Sequence, residues 1–149
     1  APTHIVINAH GNGSALNFAV DGWVSAEDMS KALDVNGVTP KIFLNLSCKL
    51  GQADYGKVFS KSSVCKAFIA PFHSVHGAIA SHFAQTFLIY NLLHGETVKV
   101  AFRHARESVA DKKSFRMWRG GEMIADSKKV KKADSVADGL PSVDTQSQD

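Results

Sequence analysis

Three short apolar runs constrain this chain more than any other feature. Residues 3–9 (Thr-His-Ile-Val-Ile-Asn-Ala), 41–46 (Lys-Ile-Phe-Leu-Asn-Leu) and 67–70 (Ala-Phe-Ile-Ala) lack the polar alternation of a half-solvated strand. Near-continuous β-branched and aromatic runs of this length read as strands covered on both faces, the habit of parallel sheets. The stretches between them carry helical punctuation. Ser25, with Asp28 three residues on, opens a helix over 25–36 that Gly37 closes. A shorter helix over 54–60 leads to the third strand. A long one over 78–93 sets Ile79, Phe83, Phe87 and Tyr90 on one face and ends at Gly95. Thr97 caps another over 97–109, with Val100, Ala101, His104 and Ala105 facing inward. Residues 115–118 and 123–125, around Gly120-Gly121, suit a strand or hairpin. Strands alternating with helices predict an α/β fold, a three-layer sandwich around a mostly parallel sheet.

The 149 residues suit one domain, expected over 1–125, followed by a charged, disordered tail over 126–149 that is poor in apolar residues. The chain opens on its first strand with no preamble. It therefore reads as a fragment whose upstream strands lie elsewhere. Residues 67–95 lack Asp, Glu, Lys and Arg but hold four histidines, two serines, Asn91 and Gln85, which is too polar for a membrane span. No basic-then-apolar leader is visible, and two cysteines make no disulfide scaffold, so a reducing, cytoplasmic setting is expected. Residues 103–132 carry ten Lys/Arg against four acids, whereas the first 100 residues carry seven against six. A solvated helix face followed by a charged tail accounts for this. No stacking platform or nucleic-acid motif accompanies the basic stretch.

In open α/β sheets ligands bind beyond the carboxyl ends of the strands. After the first run comes His10-Gly11, after the second Ser47-Cys48, and after the third Phe72-His73-Ser74-Val75-His76. One rim thus receives a thiol and three imidazoles. A thiol beside an imidazole is a nucleophile beside its base. Gly11 would let a substrate carbonyl approach its N–H, and the Cys48 N–H is a natural second oxyanion donor. No third member that orients the imidazole is evident, although Asn8 lies two residues before His10. Taken singly, a cysteine at a strand end is more often a small buried hydrophobe, and a histidine in a Gly-rich loop is incidental. Cys65 falls at the opposite rim and reads as structural, and His82, His94 and His104 sit on helices or at their ends. Zinc bound by His10, Cys48, His73 and His76 is a weak alternative on spacing. An esterase-like oxyanion loop at His10-Gly11-Asn12-Gly13 lacks the Gly-x-Ser-x-Gly elbow it would need.

Val6-Ile7-Asn8-Ala9-His10-Gly11 and Phe43-Leu44-Asn45-Leu46-Ser47-Cys48 resemble the histidine and cysteine strands of the caspase-like cysteine peptidases. The closest resemblance is to the bacterial CHAT domains. In these the cysteine is followed by a strand ending near a proline, a long helix and an Ala-x-x-x-Ala-Arg helix, here 67–72, 76–93 and Ala101-Phe102-Arg103-His104-Ala105-Arg106. The likeness spans residues 4–118. It implies a thiol endopeptidase with Cys48 as nucleophile, His10 as general acid/base, and Gly11 and Cys48 N–H groups as the oxyanion hole. It calls for no cofactor and no metal. The partners it implies are a protein or peptide substrate and a regulatory partner or upstream domain. Members that cleave after Arg or Lys often carry an acid two residues before the cysteine, where this chain has Leu46. Asp54 would have to serve a basic P1 side chain, with His73 and His76 as further polar lining, although Asp54 is equally placed to cap the short helix. The alternative function is a non-catalytic caspase-like interaction module.

Overall fold

The computed structural model describes residues 3–124. The expected tail, 126–149, lies outside them. The elements are β1 (His4–Ile7), β2 (His10–Gly11), β3 (Ala15–Phe18), β4 (Gly22–Ser25), α1 (Ala26–Leu33), β5 (Lys41–Asn45), α2 (Ala53–Phe59), β6 (Cys65–Pro71), α3 (Gly77–Leu88), a π-helical turn (Ile89–Leu93), α4 (Val98–Glu107), β7 (Phe115–Arg119) and β8 (Glu122–Met123). The main sheet runs β1-β5-β6-β7-β8, and β2-β3-β4 form a separate small antiparallel sheet. β1 pairs parallel with β5 and β5 with β6, whereas β6–β7 and β7–β8 pair antiparallel. The sheet is therefore mixed rather than mostly parallel, because two helices, α3 and α4, separate β6 from β7 and return the chain in the opposite sense, and β7–β8 is a hairpin.

Two cores flank the sheet. Ile42, Leu44, Ala67 and Ile69 meet Phe83, Phe87, Ala101 and Phe102 on one side. Phe43, Phe68 and Trp118 meet Ala26, Tyr55 and Phe59 on the other. Alternate residues of β5 and β6 point to opposite cores, which is why these runs are apolar throughout. Ser25 caps α1 by accepting from the Asp28 N–H (3.2 Å), and Thr97 caps α4 by accepting from the Val100 N–H (3.3 Å), both as expected.

Four expectations need correction. β1 is an edge strand rather than a buried one, with Val6 48% exposed. Residues 10–25 form the small sheet where a Gly-rich loop was expected. The inward face of α3 is Ala80, Phe83, Ala84 and Phe87, while Ile79 is 39% exposed; Tyr90, in the π-helical turn after α3, is half-buried and packs against the same core as expected. Similarly, α4 buries Val98, Ala101, Phe102 and Ala105, leaving Val100 and His104 half-buried. In both helices small alanines let the aromatics sink into the sheet, which turns the helix away from the face that bulk alone suggests.

Candidate active site

β1 and β5 lie side by side, so their carboxyl ends open onto the same rim. The chain leaves β1 at Ile7 and reaches His10 on β2, which pairs with Asn17 of β3. It leaves β5 at Asn45 and reaches Cys48 three residues later. Two polar contacts lock these exits together. The Leu46 N–H donates to the Ile7 carbonyl (2.7 Å), and the Ala9 N–H donates to Ser47 Oγ (3.0 Å). Asn45 stiffens the same turn, because its Oδ1 accepts from the Ser47 N–H (3.0 Å). Asn45 and Ser47 are both fully buried, and Asn45 Nδ2 is a buried donor with no partner.

Gly11 is where the histidine-bearing and cysteine-bearing segments touch. A Cβ at Gly11 would stand 2.5 Å from the Cys48 carbonyl oxygen and 3.0 Å from Leu50 Cγ. Only glycine allows this approach. The Asn12 N–H donates to the Ala15 carbonyl (3.3 Å). Alternation along an antiparallel ladder then makes Gly11–Leu16 a non-hydrogen-bonded pair, so the Gly11 N–H points away from β3. The Cys48 N–H takes part in none of the hydrogen bonds among the described residues that hold its loop. Both groups proposed as oxyanion donors are thus turned out of the local backbone network.

The segment after Cys48 is clamped to the next two strands. Lys49 adopts a left-handed conformation (φ 65°), and its N–H donates to the His73 carbonyl (3.2 Å). The Gly51 N–H donates to the Pro71 carbonyl (2.8 Å), and the Gly51 carbonyl accepts from Trp118 Nε1 (2.8 Å). A Cβ at Gly51 would meet the Ala70 carbonyl at 2.5 Å. Gln52 Nε2 donates to the Phe72 carbonyl (3.2 Å), and its Oε1 lies 2.8 Å from where a Gly13 Cβ would be. Gln52 therefore spans from the loop after β2 to the loop after β6. Sequence reading missed Asn45, Ser47, Gly51, Gln52 and Trp118, since each acts through a partner distant in the chain.

His10 is exposed, and Cys48 and Gly11 are half-buried. His73 is exposed beside Phe72, with ring centroids 4.9 Å apart. The Asp111 carboxyl is held below its ordinary range by hydrogen bonds from the Lys113 N–H and the Ser114 hydroxyl, and the His73 charge adds to this. His76 is the N-cap of α3, its Nδ1 accepting from the Ala78 N–H (3.2 Å). Asp54 is exposed in the first turn of α2. It does not cap that helix, because Gln52 holds the cap position. Its charge there suits the positive end of the helix dipole. Among the described residues, no three His, Cys, Asp or Glu side chains gather closely enough to hold a metal, which removes support for the zinc alternative. Cys65 starts β6 at the other rim, and burial pushes its thiol up to about 12. Both cysteines are free. No helix among the described residues is long and apolar enough to cross a membrane. Neither protein-family models nor curated proteins yield a match to this chain.

Proposed function

We propose that this chain is a cysteine endopeptidase of the caspase-like type, hydrolysing peptide bonds of a protein substrate through a Cys48–His10 dyad. The observation that carries the reading is the contact of Gly11 with the Cys48 carbonyl, which joins the segments bearing the two reactive groups. His10 takes the thiol proton as the sulfur attacks the scissile carbonyl carbon. The Gly11 and Cys48 N–H groups receive the oxyanion. The tetrahedral intermediate collapses to an acyl-enzyme, and His10 returns its proton to the leaving amine. A water, deprotonated by His10, then releases the carboxylic acid and restores the thiol. Asp54, His73 and His76 are the candidate polar lining for the P1 side chain. Two free cysteines suit a reducing compartment such as the cytoplasm.

The test is covalent labelling by a peptidyl acyloxymethyl ketone, compared among wild type, Cys48→Ala and Cys65→Ala. Labelling that vanishes in Cys48→Ala and persists in Cys65→Ala supports the enzyme. A folded wild type that labels no faster than a free cysteine peptide favours the non-catalytic interaction module.

A further inference from the structure

The small antiparallel sheet carries a row of side chains that runs from His10 away from Cys48. Leu16 of β3 is fully buried and Phe18 packs against the same core, so Asn17 between them faces outward. Asn17 lies directly opposite His10 of β2 on one side and Trp23 of β4 on the other. Residues directly opposite in an antiparallel pair share a face, so His10, Asn17 and Trp23 form one outward row. β2 touches the Cys48 turn through Gly11, and β4 is the last strand in the order β2-β3-β4, so Trp23 stands at the far end of the row. Trp23 is 53% exposed, and Val20 at the tip of the β3–β4 hairpin is 96% exposed. A single exposed apolar residue on a surface needs no special cause. Trp23 differs in standing in line with the imidazole of the dyad.

We infer that Trp23 is a specificity-determining residue, the platform for an apolar side chain on the leaving-amine side of the scissile bond, an assignment that rests on the Cys48–His10 dyad. His10 hands its proton to the leaving nitrogen, so that nitrogen sits beside His10 and the peptide it begins runs on over the small sheet. Neighbouring strands lie about 4.8 Å apart, which sets Trp23 roughly 10 Å from His10. An extended peptide covers that span in about three residues at about 3.3 Å each, so the second or third residue after the bond reaches the indole. Asn17, midway along the row, offers a side-chain amide that both donates to and accepts from a peptide backbone. The other outward pair, Ala15 opposite Ser25, adds no charge, so the face suits an apolar or aromatic side chain rather than a charged one. Trp23 is also held ready. Two residues on, Ser25 caps α1 by accepting from the Asp28 N–H (3.2 Å), and Ala26 is fully buried, which fixes the end of β4. An indole with only two side-chain torsions on a fixed strand loses little freedom when a peptide covers it.

The experiment is digestion of reduced, alkylated serum albumin, an unfolded protein, by wild type, Trp23→Ala, Trp23→Phe and Val35→Ala, with every cut site read by mass spectrometry. Val35 is an exposed apolar residue after α1 and controls for the loss of surface bulk. Among wild-type sites, Leu, Ile, Phe, Tyr, Trp and Met are expected at about three times their background frequency or more at the second or third residue after the cut, the scale of one aromatic contact. Trp23→Ala brings that frequency down to background while the preference before the cut is kept. Trp23→Phe retains the enrichment, and Val35→Ala behaves as wild type. Wild-type cleavage without apolar enrichment after the cut overturns the assignment of Trp23 alone, since hydrolysis and Cys48 labelling still stand. So does enrichment of Lys, Arg, Asp or Glu at those positions, or a Trp23→Ala protein that keeps the wild-type pattern at any rate of cutting, as a merely structural residue would. A folded wild type that neither cuts nor labels at Cys48 overturns the dyad and this assignment with it.

Discussion

Gly11→Ala probes the contact on which the candidate site depends. The added Cβ would sit 2.5 Å from the Cys48 carbonyl oxygen. Ordinary contacts of carbon lie near about 3.5 Å, so β2 must retreat by roughly 1 Å or the Cys48 turn must yield. The turn has little room to yield, being held by the Leu46–Ile7, Ser47–Asn45 and Lys49–His73 bonds. Gly11 has no positive φ, so the substitution adds bulk without forbidding the backbone conformation. Overpacking of this kind costs about 1–3 kcal/mol. For a chain of this size that lowers Tm by roughly 3–10 °C. A 1 Å misplacement of a catalytic group can cost about 100-fold in rate, so labelling of Cys48 and any hydrolysis fall by about that factor. Gly77→Ala is the control. It opens α3, nothing lies within 4 Å of its would-be Cβ, and the change is expected to be neutral or stabilising by up to about 1 kcal/mol. The assay is thermal unfolding followed by circular dichroism, with Cys48 labelling rates measured on the folded proteins. A Gly11→Ala protein with the wild-type Tm and labelling rate would refute the close approach.

Phe83 is fully buried and stacks on Phe115 with ring centroids 3.7 Å apart, so Phe83→Ala loses roughly 3–5 kcal/mol in urea unfolding, whereas Ile79→Ala, on the exposed side of α3, loses under about 1 kcal/mol. Ser47→Ala strands the Ala9 N–H inside the turn and is expected to cost about 1–3 kcal/mol and to slow Cys48 labelling, both read on the same samples. The Cys65 thiol is raised in the folded state to about 12 from an ordinary 9.0, so the stability it contributes is intact below pH 9 and lost as pH rises from 9 toward 12. Chemical denaturation across that window should show a fall approaching about 1.4 kcal/mol per pH unit from this group, flattened over pH 9–10 in Cys65→Ala. Tyr55, whose hydroxyl is also pushed up by burial, steepens the loss above pH 10 in both proteins.

How much of this was legible in the sequence depended on how local each cause is. β5 and β6 could be read because both of their faces are covered, which leaves an apolar residue at nearly every position. β1 carries the same kind of run yet lies at the edge, since β-branched residues do not record whether a second neighbour is present. Caps are local devices, so Ser25 and Thr97 were visible in advance. The small sheet was not visible, because its strands span only two to four residues around Gly11-Asn12-Gly13 and Asp21-Gly22, and the turn signals outweigh so short an alternation. The positions of His10 and Cys48 after neighbouring strands followed from the strand pattern alone. The contacts that fix the surrounding loops did not, because Ser47 acts on Ala9, Gln52 on Phe72 and Trp118 on Gly51 across 38, 20 and 67 residues of chain. The Trp118 ring also explains Gly56, where a Cβ would come within 2.5 Å of the indole.

The most direct test of the central claim is peptide-bond hydrolysis of an unfolded protein substrate by wild type, Cys48→Ala and His10→Ala, each shown to be folded by circular dichroism. Wild type is expected to cleave, Cys48→Ala not at all, and His10→Ala about 10²–10⁴-fold more slowly, the scale set by removing a general acid/base. Cleavage that persists at the wild-type rate in either variant, or a folded wild type that neither cleaves nor labels at Cys48, would contradict the claim.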